Sequence, residues 1–159
     1  MSGAAITNVG VIGAGQMGQG IAQVAAQAGL NVIIVDAAKE FADAAIGKLR
    51  KTLDRLVEKG KLDGPGRDQV IARLRAGGSH SDVADCDIVI EAAPEKEELK
   101  LEIFKSLGVV CKDETILASN TSSISITKIA AASGRPDRVI GMHFMNPVPV
   151  MKLVEIVRG

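Results

Sequence analysis

Ten residues near the amino terminus, VIGAGQMGQG at 11–20, constrain this chain more than any other stretch. Gly13, Gly15 and Gly18 give the spacing G-x-G-x-x-G. The apolar run AITNVGVIG precedes them, and the helix-like QMGQGIAQVAAQAG overlaps and follows them. A strand that turns on glycine into a helix opens a β-α-β unit. Each glycine then has its own job. Gly13 permits the tight turn, Gly15 lets the backbone approach a pyrophosphate, and Gly18 lets helix and strand pack closely. The anion rests at the positive end of the helix dipole, held by backbone N–H groups. Gln16 and Met17, inside the same loop, belong to the same candidate site.

That arrangement accounts for an oddity of the sequence: residues 1–35 carry no charged side chain. A signal peptide or membrane helix would also be charge-free. However, a basic leader is missing, glycines interrupt the run, and Gln16, Gln19, Gln23, Gln27 and Asn31 would be costly in lipid. The expectation is a cytoplasmic protein without a targeting segment. The next apolar run, NVIIVD, ends in Asp36, 18 residues after Gly18. At that spacing a carboxylate accepts hydrogen bonds from the adenosine ribose hydroxyls and repels a 2′-phosphate, which favours NAD over NADP. Lys39, close by, is the feature that would suit NADP. A helix N-cap is the plainer reading of Asp36.

Further along, DIVIEAA, TILASN and RVIGMHF are short apolar runs bounded by polar residues. Strands apolar on both faces suit a parallel sheet covered by helices on each side. Alternation with helix-like stretches predicts an α/β, Rossmann-like, doubly wound and mostly parallel sheet. One domain is expected over 1–159, with a helical hairpin inserted at about 38–76. Its first helix places Phe41, Ala45, Leu49, Leu53 and Leu56 on one face. GKLDGPG forms the turn, and RDQVIARLRAGG forms a second helix. The hairpin carries Lys48, Arg50, Lys51, Arg55, Lys59 and further basic residues, which read first as a solvated face.

Composition narrows the function. Lys plus Arg equals Asp plus Glu at 19 each, and the aromatic residues are three Phe. Neither a global pull toward nucleic acid or membrane nor a base-stacking platform is indicated. Cys86 and Cys111 lack a CxxC or histidine-rich context, so they read as buried reduced thiols and no metal site is expected. His80, in GGSHSD, has no supporting context and reads as a loop residue.

Three segments together are more specific than the glycine loop: GVIGAGQMGQGIAQVAAQAG, ILASNTSSISI and GMHFMNPVPVMKLVEIV. They resemble the NAD-binding domain of the L-3-hydroxyacyl-CoA dehydrogenases over essentially the whole chain. The resemblance implies interconversion of 3-hydroxybutanoyl-CoA and acetoacetyl-CoA with NAD. It implies that His143 is the catalytic histidine, that Glu155 pairs with it, that Ser122 lies near the substrate oxygen and the nicotinamide, and that Asn146 is at the active site. It also implies that Glu95, Lys100 and Asn120 line the nicotinamide side and that the hairpin, at Arg55 and Lys59, receives the coenzyme A tail. A second, all-helical domain normally follows in the family, closing the cleft and making most of a dimer interface. This chain ends before one, so a boundary set by truncation is expected, with low or no activity for the isolated domain.

The chemistry agrees with these roles. Oxidising a secondary alcohol requires that the hydroxyl lose a proton, and a histidine is matched to that task near neutral pH. A carboxylate beside it stabilises the imidazolium and sets which ring nitrogen faces the substrate. MNPVPV, with two prolines, reads as a bend, and MKLVEIV is expected to return as a neighbouring strand that brings Glu155 to His143. Plainer readings stand beside each role: a core histidine, a solvent-facing Glu155, Ser122 as a helix cap, Asn146 as a turn residue, and Glu95 and Lys100 as helix-surface charges. Two other functions also fit: a cofactor-binding module without turnover, and a related dehydrogenase of free hydroxy acids of the gulonate type.

Overall fold

The computed structural model describes residues 5–159; Met1–Ala4, the first positions of the charge-free segment, lie outside the described residues. Seven strands form one sheet: β1 (Asn8–Ile12), β2 (Asn31–Val35), β3 (Leu74–Gly77), β4 (Ile88–Glu91), β5 (Ile116–Ser119), β6 (Val139–Phe144) and β7 (Val154–Val157). Their spatial order is β3-β2-β1-β4-β5-β6-β7. The first six run parallel and β7 is antiparallel to β6. The order reverses between β1 and β4, so a crevice opens there at the carboxyl ends of the strands. This is the doubly wound sheet expected from the sequence.

Two helical layers cover the sheet because the strands are apolar on both faces. Val9, Val11, Val32, Ile34, Ile88 and Ile90 pack on one side against α1 (Gln16–Gln27), α2 (Lys39–Glu58) and α3 (Gly64–Ala72). Val35, Val89, Leu117 and Val139 pack on the other side against α4 (Glu97–Val110) and α5 (Ile126–Ser133). Local signals set the helix ends. Asp63 caps α3 by accepting from the Gly66 N–H at 2.6 Å, and Pro65 sits in its first turn. Gly134, at φ 75°, ends α5 in the left-handed conformation.

The glycine loop folds as its spacing requires. Gly13 has φ 114°, a region costly for any residue with a Cβ. A Cβ on Gly18 would lie 1.9 Å from the Gly13 carbonyl oxygen, so α1 sits on the loop at backbone contact.

The hairpin differs from expectation in two ways. The second helix stops at Ala72, and Leu74–Gly77 forms β3, pairing in parallel with Val32–Val35. The two helices are therefore the crossover between β2 and β3, tied together by an Arg67–Asp54 bridge of 3.0 Å. Residues 74–76 belong to the sheet. Phe41 is also not on the buried face. It is 58% exposed, and Ala42, Ala45, Leu49 and Leu53 form the buried stripe. A stripe starting one residue later matches the 3.6 period equally well, and the small Ala42 lets α2 approach the sheet closely.

Gly18→Ala should cost at least about 2 kcal/mol of stability by overpacking against a carbonyl that cannot move independently. Urea unfolding of the purified chain measures this, and NAD affinity should fall with it.

Candidate functional site

Two clefts open at the carboxyl ends of the parallel strands and adjoin at Ala93, which lines both. The first, of about 510 Å³, lies between the ends of β1 and β2, the turn after β3 and one face of α4; Gly13, Asp36, His80 and Leu99 are among its walls. The second, of about 330 Å³, gathers Met17, Glu95, Lys100, Asn120, Ser122, His143 and Asn146. An elongated ligand lying across the glycine loop would reach both.

The loop suits a diphosphate. Gly15 is the N-cap of α1 and has no side-chain cap, and the first turn holds no acidic residue, so its N–H groups are left for an outside acceptor. A Cβ at Gly15 would meet no protein atom within 4 Å, so the space above it is open to a ligand. Gln16 is exposed at the start of α1. Asp36 accepts from the Ala14 N–H at 2.8 Å and from the Ala37 N–H at 2.6 Å. It is not the cap of α2, whose N-cap is Ala38. One carboxylate thus braces the glycine loop and keeps lone pairs free for hydroxyl donors in the same cleft. Together the uncapped N–H groups, the open space at Gly15 and the free Asp36 lone pairs fit the diphosphate and ribose of NAD.

Beneath the second cleft lies a charge network. Glu91, at the end of β4, is fully buried, and so is Lys100 of α4. Lys100 donates to Glu91 at 2.5 Å and to the Ala93 carbonyl at 3.2 Å. Ser119 of β5 donates to the other Glu91 oxygen at 2.6 Å, and the Ala93 N–H donates to Glu91 at 2.7 Å. Lys100 also lies 3.3 Å from Glu95. These residues are not ordinary helix-surface charges.

Glu95 organises the SNTSS loop. One of its oxygens accepts from the hydroxyls of Thr121 (2.9 Å), Ser122 (3.1 Å) and Ser123 (3.1 Å) and from the Ser122 N–H (2.9 Å). Burial pushes its pKa up, but the Ser122 and Thr121 donors and the Lys100 charge outweigh this and hold it down at about 2. Ser122 is not a helix cap; Ser125 caps α5 by accepting from the Lys128 N–H. Asn120 accepts from the Phe144 N–H at 2.8 Å and so joins the end of β5 to the end of β6, beside His143.

His143 is part-buried on β6, and its register partner across the antiparallel pair is Glu155 of β7, which is exposed. Directly opposed residues share a face of the sheet, with Cβ atoms about 5 Å apart. Among the described residues no hydrogen bond joins the two side chains. Asn146 is exposed at the cleft rim, in the bend, where the Asn146–Pro147 peptide is cis. Val148, beyond it, is buried in the α1-side core and anchors the bend. Arg55 on α2 and Lys59, the residue that caps its carboxyl end, are exposed and line neither cleft.

Sequence reasoning missed Glu91, Ser119 and the setting of His80. A lone carboxylate ending the apolar DIVIE was the available signal for Glu91. His80 begins a 3-10 turn at His80–Val83, its Nδ1 lies 2.7 Å from the Ser106 hydroxyl, and burial pulls its pKa down. Cys86 and Cys111 are both buried and free. Among the described residues no group of three or more His, Cys, Asp or Glu is placed to hold a metal ion, and no helix is long and apolar enough to cross a membrane.

Comparison with known proteins agrees with this architecture. The family described as 3-hydroxyacyl-CoA dehydrogenase, NAD binding domain, matches residues 8–159. A probable 3-hydroxybutyryl-CoA dehydrogenase of Deinococcus radiodurans is 56% identical over 151 residues, covering 94% of this chain and 54% of the relative. The 3-hydroxybutyryl-CoA dehydrogenase of Bradyrhizobium diazoefficiens is 51% identical, covering 98% of this chain and 53% of its own length. The crystal structure of (S)-3-hydroxybutyryl-CoA dehydrogenase from Ralstonia eutropha superimposes with a TM-score of 0.94 at 48% identity, covering 98% of this chain and 55% of that one. The chain thus spans about half the length of the curated relatives it matches.

Two measurements probe the network. Lys100→Met leaves the Glu91 carboxylate buried without its cation and should cost about 3–5 kcal/mol in urea unfolding. Glu95 titrates well below its ordinary 4.5, so it contributes stability above that pH which is lost as the pH falls toward 2. Glu95→Gln should flatten that part of the acid-unfolding curve and leave the curve above pH 6 parallel to that of the parent.

Proposed function

Because the chain belongs to the 3-hydroxyacyl-CoA dehydrogenase family, as an NAD-binding domain, we propose that it serves the NAD-dependent interconversion of 3-hydroxybutanoyl-CoA and acetoacetyl-CoA. The observation that carries the reading is the His143–Glu155 register pair beside a cleft that also holds Ser122, Asn120 and Asn146. The relatives named 3-hydroxybutyryl-CoA dehydrogenases support the substrate class. NAD, when bound, supplies the hydride acceptor. The remaining work falls to side chains of this chain.

In the oxidation direction, His143 accepts the proton leaving the substrate hydroxyl. A neutral imidazole suits this role, since its ordinary pKa lies near working pH. Glu155, on the same face of the sheet, stabilises the imidazolium that results and selects the ring nitrogen turned to the substrate. The pairing requires the exposed Glu155 side chain to turn toward the imidazole. Ser122 and Asn146 orient the substrate oxygen from the cleft rim. Glu95 accepts the Ser122 hydroxyl hydrogen, which fixes that hydroxyl and leaves its lone pairs for the ligand. Asp36 receives the adenosine ribose, and the uncapped start of α1 receives the diphosphate. The exposed basic residues Lys48, Arg50, Lys51 and Arg55 of α2 and Lys59 at its carboxyl end favour a phosphate-bearing coenzyme A substrate over a free hydroxy acid.

Glu155→Gln should leave NAD affinity unchanged and lower turnover of 3-hydroxybutanoyl-CoA by on the order of a hundredfold, in a form carrying the second half found in the relatives. Titration calorimetry and NADH absorbance read the two quantities separately. Unchanged turnover would remove the pairing. Tight NAD binding with no turnover of either the coenzyme A substrate or a free hydroxy acid would instead identify a cofactor-binding module.

A further inference from the structure

One wall of the first cleft is a polar side chain, His80, that the reading above does not use. Beyond Asp36 the walls are largely apolar: Ile12, Val35, Ala37, Pro94, Leu99 and Ile103. An apolar slot of this kind suits a planar base, with the adjoining ribose on Asp36. Ser79, Glu102 and His80 are its further polar walls, and His80 is the ring among them. Its position is well fixed. Asp82 accepts from the N–H groups of Gly78 (3.0 Å) and Ser79 (3.1 Å), which locks the turn that carries His80. Ser106 holds Nδ1 at 2.7 Å from the next turn of the α4 face that presents Leu99, Glu102 and Ile103 to the cleft. Nε2 has no partner among the described residues, although His80 is a wall of the cleft. Burial lowers the His80 pKa, so the ring is neutral at neutral pH. A neutral imidazole whose Nδ1–H donates to the Ser106 oxygen presents an acceptor lone pair at Nε2.

We propose that His80, in the tautomer whose Nδ1–H donates to the Ser106 hydroxyl oxygen, reads the adenine of the bound dinucleotide by accepting a hydrogen bond at Nε2 from the 6-amino group. The inference rests on the assignment of Asp36 to the adenosine ribose, and it adds base selectivity to that site. A site built to pair with a donor discriminates against an analogue that lacks it, because the acceptor is then left facing a second acceptor. His80 acts as a specificity residue of the cofactor site and takes no part in proton transfer.

The test is the affinity of this chain for NAD and for nicotinamide hypoxanthine dinucleotide, which carries a carbonyl where adenine has its amino group. Calorimetry should give about tenfold tighter binding of NAD, the scale of one hydrogen bond. His80→Leu should bring the ratio to about one, Ser106→Ala should at least halve it, and His80→Gln, which restores an acceptor, should recover most of it. Equal affinities in the parent chain, or an undiminished ratio in His80→Leu, would overturn the assignment to His80 and leave the NAD site standing. Failure of the parent chain to bind either dinucleotide would overturn both. Thermal unfolding of each variant separates lost recognition from lost folding, and His80→Gln decides the matter if His80→Leu does not fold.

Discussion

A carboxylate with no exposure to water is the constraint on which the second cleft depends. Glu91 closes β4 in the middle of the sheet, where an uncompensated charge would cost several kcal/mol. Its partners come from three directions: Lys100 from α4, Ser119 from β5 and the Ala93 N–H from the loop that follows β4. Satisfying one buried group therefore fixes how α4 sits against two strands. Lys100 passes the constraint on to Glu95, and Glu95 passes it to three consecutive hydroxyl residues at the cleft rim. Such networks specify one arrangement because a half-satisfied version is worse than none.

The first cleft is organised by backbone geometry. The backbone contact of Gly18 with the Gly13 carbonyl seats α1, and Asp36 holds the loop by the Ala14 N–H. The anion-binding N–H groups are thus held in line by the protein's own contacts, and a site held in this way spends less of its binding free energy on ordering. The two clefts meet at Ala93, so the glycine-loop end of the site adjoins the end where Ser122 and Asn146 are exposed.

Much of this was legible in the sequence, and the gaps have physical causes. The β-α-β opening, the parallel sheet and the return of the last strand follow from apolar runs and glycine spacing, which act locally. β3 was not legible, because LRAG continues the helical period of RDQVIAR and contains no β-branched residue; its pairing with β2 alone makes it a strand. Phe41 was misplaced because positions 41 and 42 both fit the 3.6 period of the stripe through Ala45, Leu49 and Leu53, and Ala42 takes the buried one. Glu91 and His80 were invisible for a different reason. Each takes its meaning from partners far along the chain, Ser119 and Lys100 for one and Ser106 for the other. Arg55 and Lys59 were singled out by resemblance alone, and the fold leaves them on an open helix face.

The antiparallel pairing of the final two strands has a consequence of parity. His143 and Glu155 share a face because their register is in phase, and side chains in a strand alternate with a period of two. Residues 145–153 can therefore change in length and sequence while the pair persists, provided the ladder keeps its phase. A slip of one residue in β7 would turn Glu155 to the opposite face and present Val154 or Ile156 to the histidine instead. What the two strands must preserve is thus their full register, since a slip of two residues would keep Glu155 on the same face but set Leu153 or Val157 opposite the histidine.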